Sequence, residues 1–164
     1  MNVYNRGLAL SNSKGFTLIE LLVVIAIIGI LSSVVLSSLN SARGKGGNAG
    51  IKANLSNIRT QAEILYDNNS TNPSTYVGLC TESTIAKATA AAATITGATV
   101  NNIVSTAGAS NLVSCHTPGS GVRYAIAAPL RVPENGNLYW CVDSTGFSGL
   151  KTPVIPQNQS DCSY

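Results

Sequence analysis

The residues from Leu21 to Leu31, with a fading continuation to Leu39, form an almost unbroken apolar run. No proline interrupts residues 16–39, and Glu20 is the single charge among them. Wound as a helix at ~1.5 Å per residue, that stretch reaches ~36 Å, enough for a bilayer core of ~30 Å. It is a membrane-spanning candidate, and it restricts where the rest of the chain can lie. Glu20 does not suit a plain anchor, since an isolated carboxylate inside an apolar helix costs on the order of 2.5–3.5 kcal/mol by insertion scales. A charge kept there calls for a partner; without one it snorkels to the headgroups, as in a simple one-pass anchor.

The flanks of the run decide its direction. A secretory signal is cut after its apolar segment at a small-x-small site, whereas here Lys14-Gly15 precedes the run and no such site closes it. Cleavage before the run would leave the anchor on the mature chain. Arg6 and Lys14 keep the leader cytoplasmic by the positive-inside bias, so the chain beyond Leu39 is expected outside.

Lys14-Gly15-Phe16-Thr17-Leu18-Ile19-Glu20 and the apolar residues to Leu31 resemble the class III signal of type IV pilins and of the related pseudopilins of secretion and DNA uptake. The resemblance is long and specific over residues 14–39 and weak beyond. It implies cleavage between Gly15 and Phe16 by a prepilin peptidase, N-methylation of the new Phe16 amine, and polymerisation of the mature chain into a filament through an inner-membrane assembly platform. It also implies that Glu20 pairs with the terminal amine of a neighbouring subunit. The product would be single-pass in the cytoplasmic membrane before assembly and extracellular in a pilus after it.

Residues 1–15 read as the leader, 16–39 as the membrane or filament-core half of a long helix, 40–68 as its amphipathic half, and 69–164 as a head of about 95 residues, a common domain size. In the second half, Ile51, Leu55, Ile58, Ala62 and Leu65 step by four and three, the apolar stripe of a helix that covers a sheet. Before them lies Gly44-Lys45-Gly46-Gly47-Asn48-Ala49-Gly50, where each glycine costs a helix ~1 kcal/mol relative to alanine. These residues read as a soft joint where any kink falls: a segment that melts on packing, or an ordinary linker.

Asn68 to Ser74 is a turn-rich exit from the helix, and Glu82 to Ala93 an Ala-rich short helix diluted by threonines. Val122 to Leu130 and Leu138 to Val142 read as an antiparallel hairpin across Pro133-Glu134-Asn135-Gly136-Asn137, with a third strand near Val154-Ile155. The fold class expected is α+β: a pilin fold with its long helix packed on a small antiparallel sheet, an intervening αβ-loop and a C-terminal disulfide region.

Cys80, Cys115, Cys141 and Cys162 lie in the part expected outside, and none forms a Cys-x-x-Cys pair. Two disulfides are the default, with free thiols as the alternative. Spacing leaves three connectivities open; Cys80 with Cys115 and Cys141 with Cys162 is favoured, the second pair sitting where the family resemblance puts a pilin's C-terminal disulfide.

No catalytic constellation is apparent: His116 is the sole histidine and reads as a loop residue, and Glu82, Glu134, Asp143 and Asp161 are scattered. No enzyme, cofactor or metal is expected. Asp143-Ser144-Thr145-Gly146 reads as an Asx turn in preference to the calcium loop of some pseudopilins. Charged residues make up only 10% against a usual ~25%, and the net charge of +3 falls to +1 once Arg6 and Lys14 are lost, so charge does not argue for nucleic acid. Arg123, Arg131 and Lys151 would favour it if they clustered. The reading is a structural pilus subunit for adhesion, motility or DNA uptake; the alternative is a pseudopilin of a type II secretion or competence system.

Overall fold

The computed structural model describes residues 15–101, 111–151 and 160–162. The expected leader up to residue 14, and the strand expected near Val154-Ile155, lie outside them. The element order is α1 (Leu18–Asn68), a 3-10 turn (Leu79–Thr81), α2 (Ser83–Thr96), β1 (Thr99–Asn101), β2 (Leu112–His116), β3 (Ala125–Glu134), β4 (Asn137–Asp143) and β5 (Ser148–Lys151). The chain divides after Asn40 into two units.

In the first unit every described residue is exposed, and the large apolar side chains from Phe16 to Leu39 are 42–85% accessible. Full burial of a Leu, Ile or Val side chain is worth about 1.5–3 kcal/mol, so a helix exposing this many cannot remain in water. It is long and apolar enough to cross a membrane.

The second unit is built on α1 from Ser41 onward. Ile51, Leu55, Ile58 and Ala62 are fully buried and Leu65 packs partly against them, as the stripe required. They meet Leu79 of the 3-10 turn, Ile85 and Ala92 of α2, and Val113, Ile126 and Val142 of the sheet. The sheet runs β1-β2-β3-β4-β5; β1 pairs parallel with β2 and all other pairs are antiparallel.

The hairpin exists with shifted limits. β3 continues to Glu134 and the loop shrinks to Asn135-Gly136, both at positive φ (50° and 77°), the geometry of a two-residue hairpin turn. Pro133 survives in β3 because the register shifts between Pro129↔Tyr139 and Glu134↔Asn137, leaving residues 130–133 off the ladder, while Pro129 lies past Ala127, where the pairing with β2 ends. β1, β2 and β5 were not anticipated; His116 ends β2 and is buried there, so its reading as a loop residue is corrected.

α1 runs unbroken through residues 44–50. A Cβ on Gly44 would lie 2.7 Å from Val132 Cγ1, and one on Gly47 2.8 Å from Arg131 Cδ. Val132 is β-branched and stiff whereas the Arg131 side chain can move aside, so it is Gly44 above all that lets β3 approach the helix backbone.

Candidate assembly site at the start of the long helix

Gly15 and Phe16 precede α1 and are exposed, with Phe16 85% accessible. Thr17 caps the helix: its carbonyl accepts the Leu21 N–H at 3.3 Å. Thr17 Oγ1 accepts the Glu20 N–H at 3.2 Å, while Glu20 Oε2 accepts the Thr17 N–H at 2.9 Å and the Thr17 hydroxyl at 2.8 Å. This is a reciprocal capping box, which satisfies two otherwise orphaned helix donors and puts the carboxylate at the positive end of the helix dipole. The signal, Thr17-x-x-Glu20, was legible in the sequence and was missed. Both carboxylate bonds converge on Oε2; among the described residues none reaches Oε1. Among the described residues Glu20 therefore has a local hydrogen-bond partner and no ion-pair partner, and it stands four residues along the chain from Phe16.

The head carries the other expected residues. Cys80 bonds Cys115, tying the 3-10 turn to β2, and Cys141 of β4 bonds Cys162. Asp143 is 1% exposed with both oxygens engaged: Oδ1 accepts from Thr145 N (2.8 Å), Thr145 Oγ1 (2.7 Å) and Phe147 N (3.1 Å), and Oδ2 accepts from Cys162 N (2.7 Å). Those donors make the turn an Asx turn and tie the C-terminal disulfide to the end of β4. Glu82 caps α2 by accepting from Thr84 N and Ile85 N. Burial opposes its charge, but the Ile85 and Thr84 N–H groups prevail and hold its carboxyl below the usual range.

Arg123, Arg131 and Lys151 each have a separate local contact: Arg123 with Asp161 at 3.4 Å, Arg131 with the Ile95 carbonyl at 3.2 Å, and Lys151 over the Phe147 ring at 4.9 Å. Glu134 bonds Lys52 and accepts from Asn48 Nδ2 at 2.8 Å. Tyr76 donates to Glu63 at 3.2 Å, and burial together with that carboxylate pushes its phenol up to about 12.

The family model for the prokaryotic N-terminal methylation motif matches residues 10–36. The chain is 42% identical over 81 residues to the type IV wide pilus major component PilA4 of Thermus thermophilus. That alignment covers 48% of this chain and 62% of the relative, so less than two thirds of the relative's length is spanned. No solved structure matches. The methylation motif thus overlaps the capped, exposed helix start, and over about half its length the chain is similar to a type IV pilus major component.

Proposed function

We propose that the chain is the precursor of a type IV pilus subunit, polymerising through its N-terminal helix. The observation that carries this reading is the apolar helix, exposed along residues 18–39 and opened by Gly15-Phe16-Thr17-x-x-Glu20. In a membrane the bilayer covers that surface; in a filament the same surface of neighbouring helices does, with no new chemistry required. Prepilin peptidase and its methyltransferase activity would act at the Gly15–Phe16 bond and the Phe16 amine, with the leader in the cytoplasm and the head outside. A platform in the inner membrane would then extract the subunit. The similarity to a pilus major component supports this over a secretion pseudopilin.

The Glu20 carboxylate would meet the Phe16 amine of an adjacent copy. A buried charge pair repays its desolvation only when both charges are present, so the pair selects one axial register. Mass spectrometry of material sheared from cells tests the whole reading. The expected product begins at Phe16, one methyl heavier; a chain beginning at Met1 in assembled material sinks it.

A further inference from the structure

The far end of α1 carries a local electrostatic conflict. Glu63 and Asp67 stand four residues apart on one exposed face, a like-charge spacing that destabilises a helix. They also sit near the helix C-terminus, whose dipole disfavours anions, and the last turn holds no basic residue. Arg59 shares that face but donates to the Gly146 carbonyl at 3.1 Å. The two carboxylates line a groove of about 470 Å³ with Ser56, Arg59, Thr60 and Ile64, the last 49% exposed. An apolar wall beside two carboxylates suits a long aliphatic stem ending in a cation.

The unit holds such side chains at its other end. Arg43 and Lys45 are exposed on the opening turns of the same stretch of α1. Neither takes part in the ion pairs of the described residues, Lys52–Glu134 and Arg123–Asp161, nor does Glu63 or Asp67. Charge along this part of α1 therefore runs from basic (Arg43, Lys45, Lys52, Arg59) to acidic (Glu63, Asp67).

We propose that the Glu63–Asp67 groove receives the Lys45 side chain of a second copy of this chain, with Arg43 adding positive charge from the flanking face. From Lys45 to Glu63 is 18 residues (63 minus 45), or ~27 Å along a helix, so copies that touch there and lie parallel are offset by about 27 Å. The parallel arrangement keeps both apolar segments pointing the same way. A contact between two different patches is head-to-tail and repeats without closing, which is the symmetry of a filament. The inference rests on the filament reading of the preceding subsection and adds a contact to it, one that sets the stagger of the heads.

The test uses the full chain in cells. Arg43→Glu with Lys45→Glu is expected to lower sheared-filament yield at least tenfold at unchanged membrane level, and so is Glu63→Lys with Asp67→Lys. All four together should restore it. Wild-type filaments treated with a carbodiimide should yield a peptide joining Lys45 to Glu63 or Asp67. That link must run between copies, because Lys45 and Asp67 are ~33 Å apart along one helix. If filaments form but the reversals assemble normally, the four-fold swap fails to restore yield while its membrane level is normal, or no such link appears, the contact is refuted and the filament reading stands. If a reversal is lost from the membrane fraction, the wild-type link decides. Absence of any sheared filament from the wild type overturns the filament reading itself. Filaments that fall apart in chelator and give no link would assign the groove to a divalent cation instead.

Discussion

Asn48 closes both hydrogen-bonding sides of Val132: its Oδ1 accepts the Val132 N–H at 3.2 Å and its Nδ2 donates to the Val132 carbonyl at 2.8 Å. The same Oδ1 accepts the Arg131 N–H at 2.8 Å. One buried carboxamide thereby does for β3 what a neighbouring strand does elsewhere, at the residues where the β3–β4 ladder lapses. Gly44 makes this possible, since a Cβ there would meet both methyls of Val132 and hold the strand off.

Replacing Asn48 with alanine leaves two N–H groups and one carbonyl without partners in a site only 1% exposed. The expected loss is about 2–3 kcal/mol, since each orphaned group forfeits its solvation without return. Urea unfolding of the detergent-solubilised chain measures it. A loss under half a kilocalorie per mole would mean that the carboxamide does not hold the strand.

Gly44 and Gly46 should respond oppositely to alanine. At Gly46 nothing lies within 4 Å of the added Cβ, so Gly46→Ala gains up to ~1 kcal/mol of helix propensity. At Gly44 the same gain meets a Cβ 2.7 Å from a methyl of β-branched Val132, and overpacking of about 1–3 kcal/mol outweighs it. Thermal melts that rise for Gly46→Ala and fall for Gly44→Ala are expected; a rise in both contradicts the close-approach reading and restores that of a soft joint.

Stability should fall in acid partly through Glu134. The hydrogen bond from Lys52 first, that from Asn48 second, hold its carboxyl below the usual glutamate range, with burial opposing. The folded value lies below the unfolded one, so this contribution is complete above the ordinary glutamate value of about 4.3 and is lost as pH drops through the lowered folded value. Between pH 7 and 5 the difference in unfolding midpoint between wild type and Glu134→Gln should hold steady, and it should shrink at pH 3. A difference independent of pH would show that the carboxylate charge contributes nothing.

For Glu20, glutamine separates two roles. A capping box accepts Gln as well as Glu, so Glu20→Gln keeps the bond from the Thr17 N–H but removes the charge. Pairing with the Phe16 amine of another copy needs that charge. We expect normal membrane levels and at least tenfold less sheared filament by immunoblot, with Thr17→Val milder. Wild-type yield from Glu20→Gln would leave Glu20 a helix cap alone.

The helical course of residues 18–39 and the buried face of residues 51–62 were legible because their causes are local. The apolar run and the 51-55-58-62 stripe each report on neighbours within one or two helical turns, where a 3.6-residue period is enough; the Thr17–Glu20 spacing is as local and could have been read the same way. The Asn135-Gly136 turn belongs with them, although the loop was drawn too long.

Tertiary structure decided the rest, because the partners lie far along the chain. Asn48 meets its strand 83 and 84 residues away, and Gly44 reads as a helix weakness until Val132 is set against it. β1 is only three residues long and gains its place from parallel pairing with β2, while antiparallel pairing with Ala125 of β3 turns His116 from loop to strand. The disulfide partners are of the same kind: four cysteines permit three pairings, and it is the packing of the 3-10 turn beside β2, and of Cys162 beneath β4 through Asp143, that brings Cys80 to Cys115 and Cys141 to Cys162.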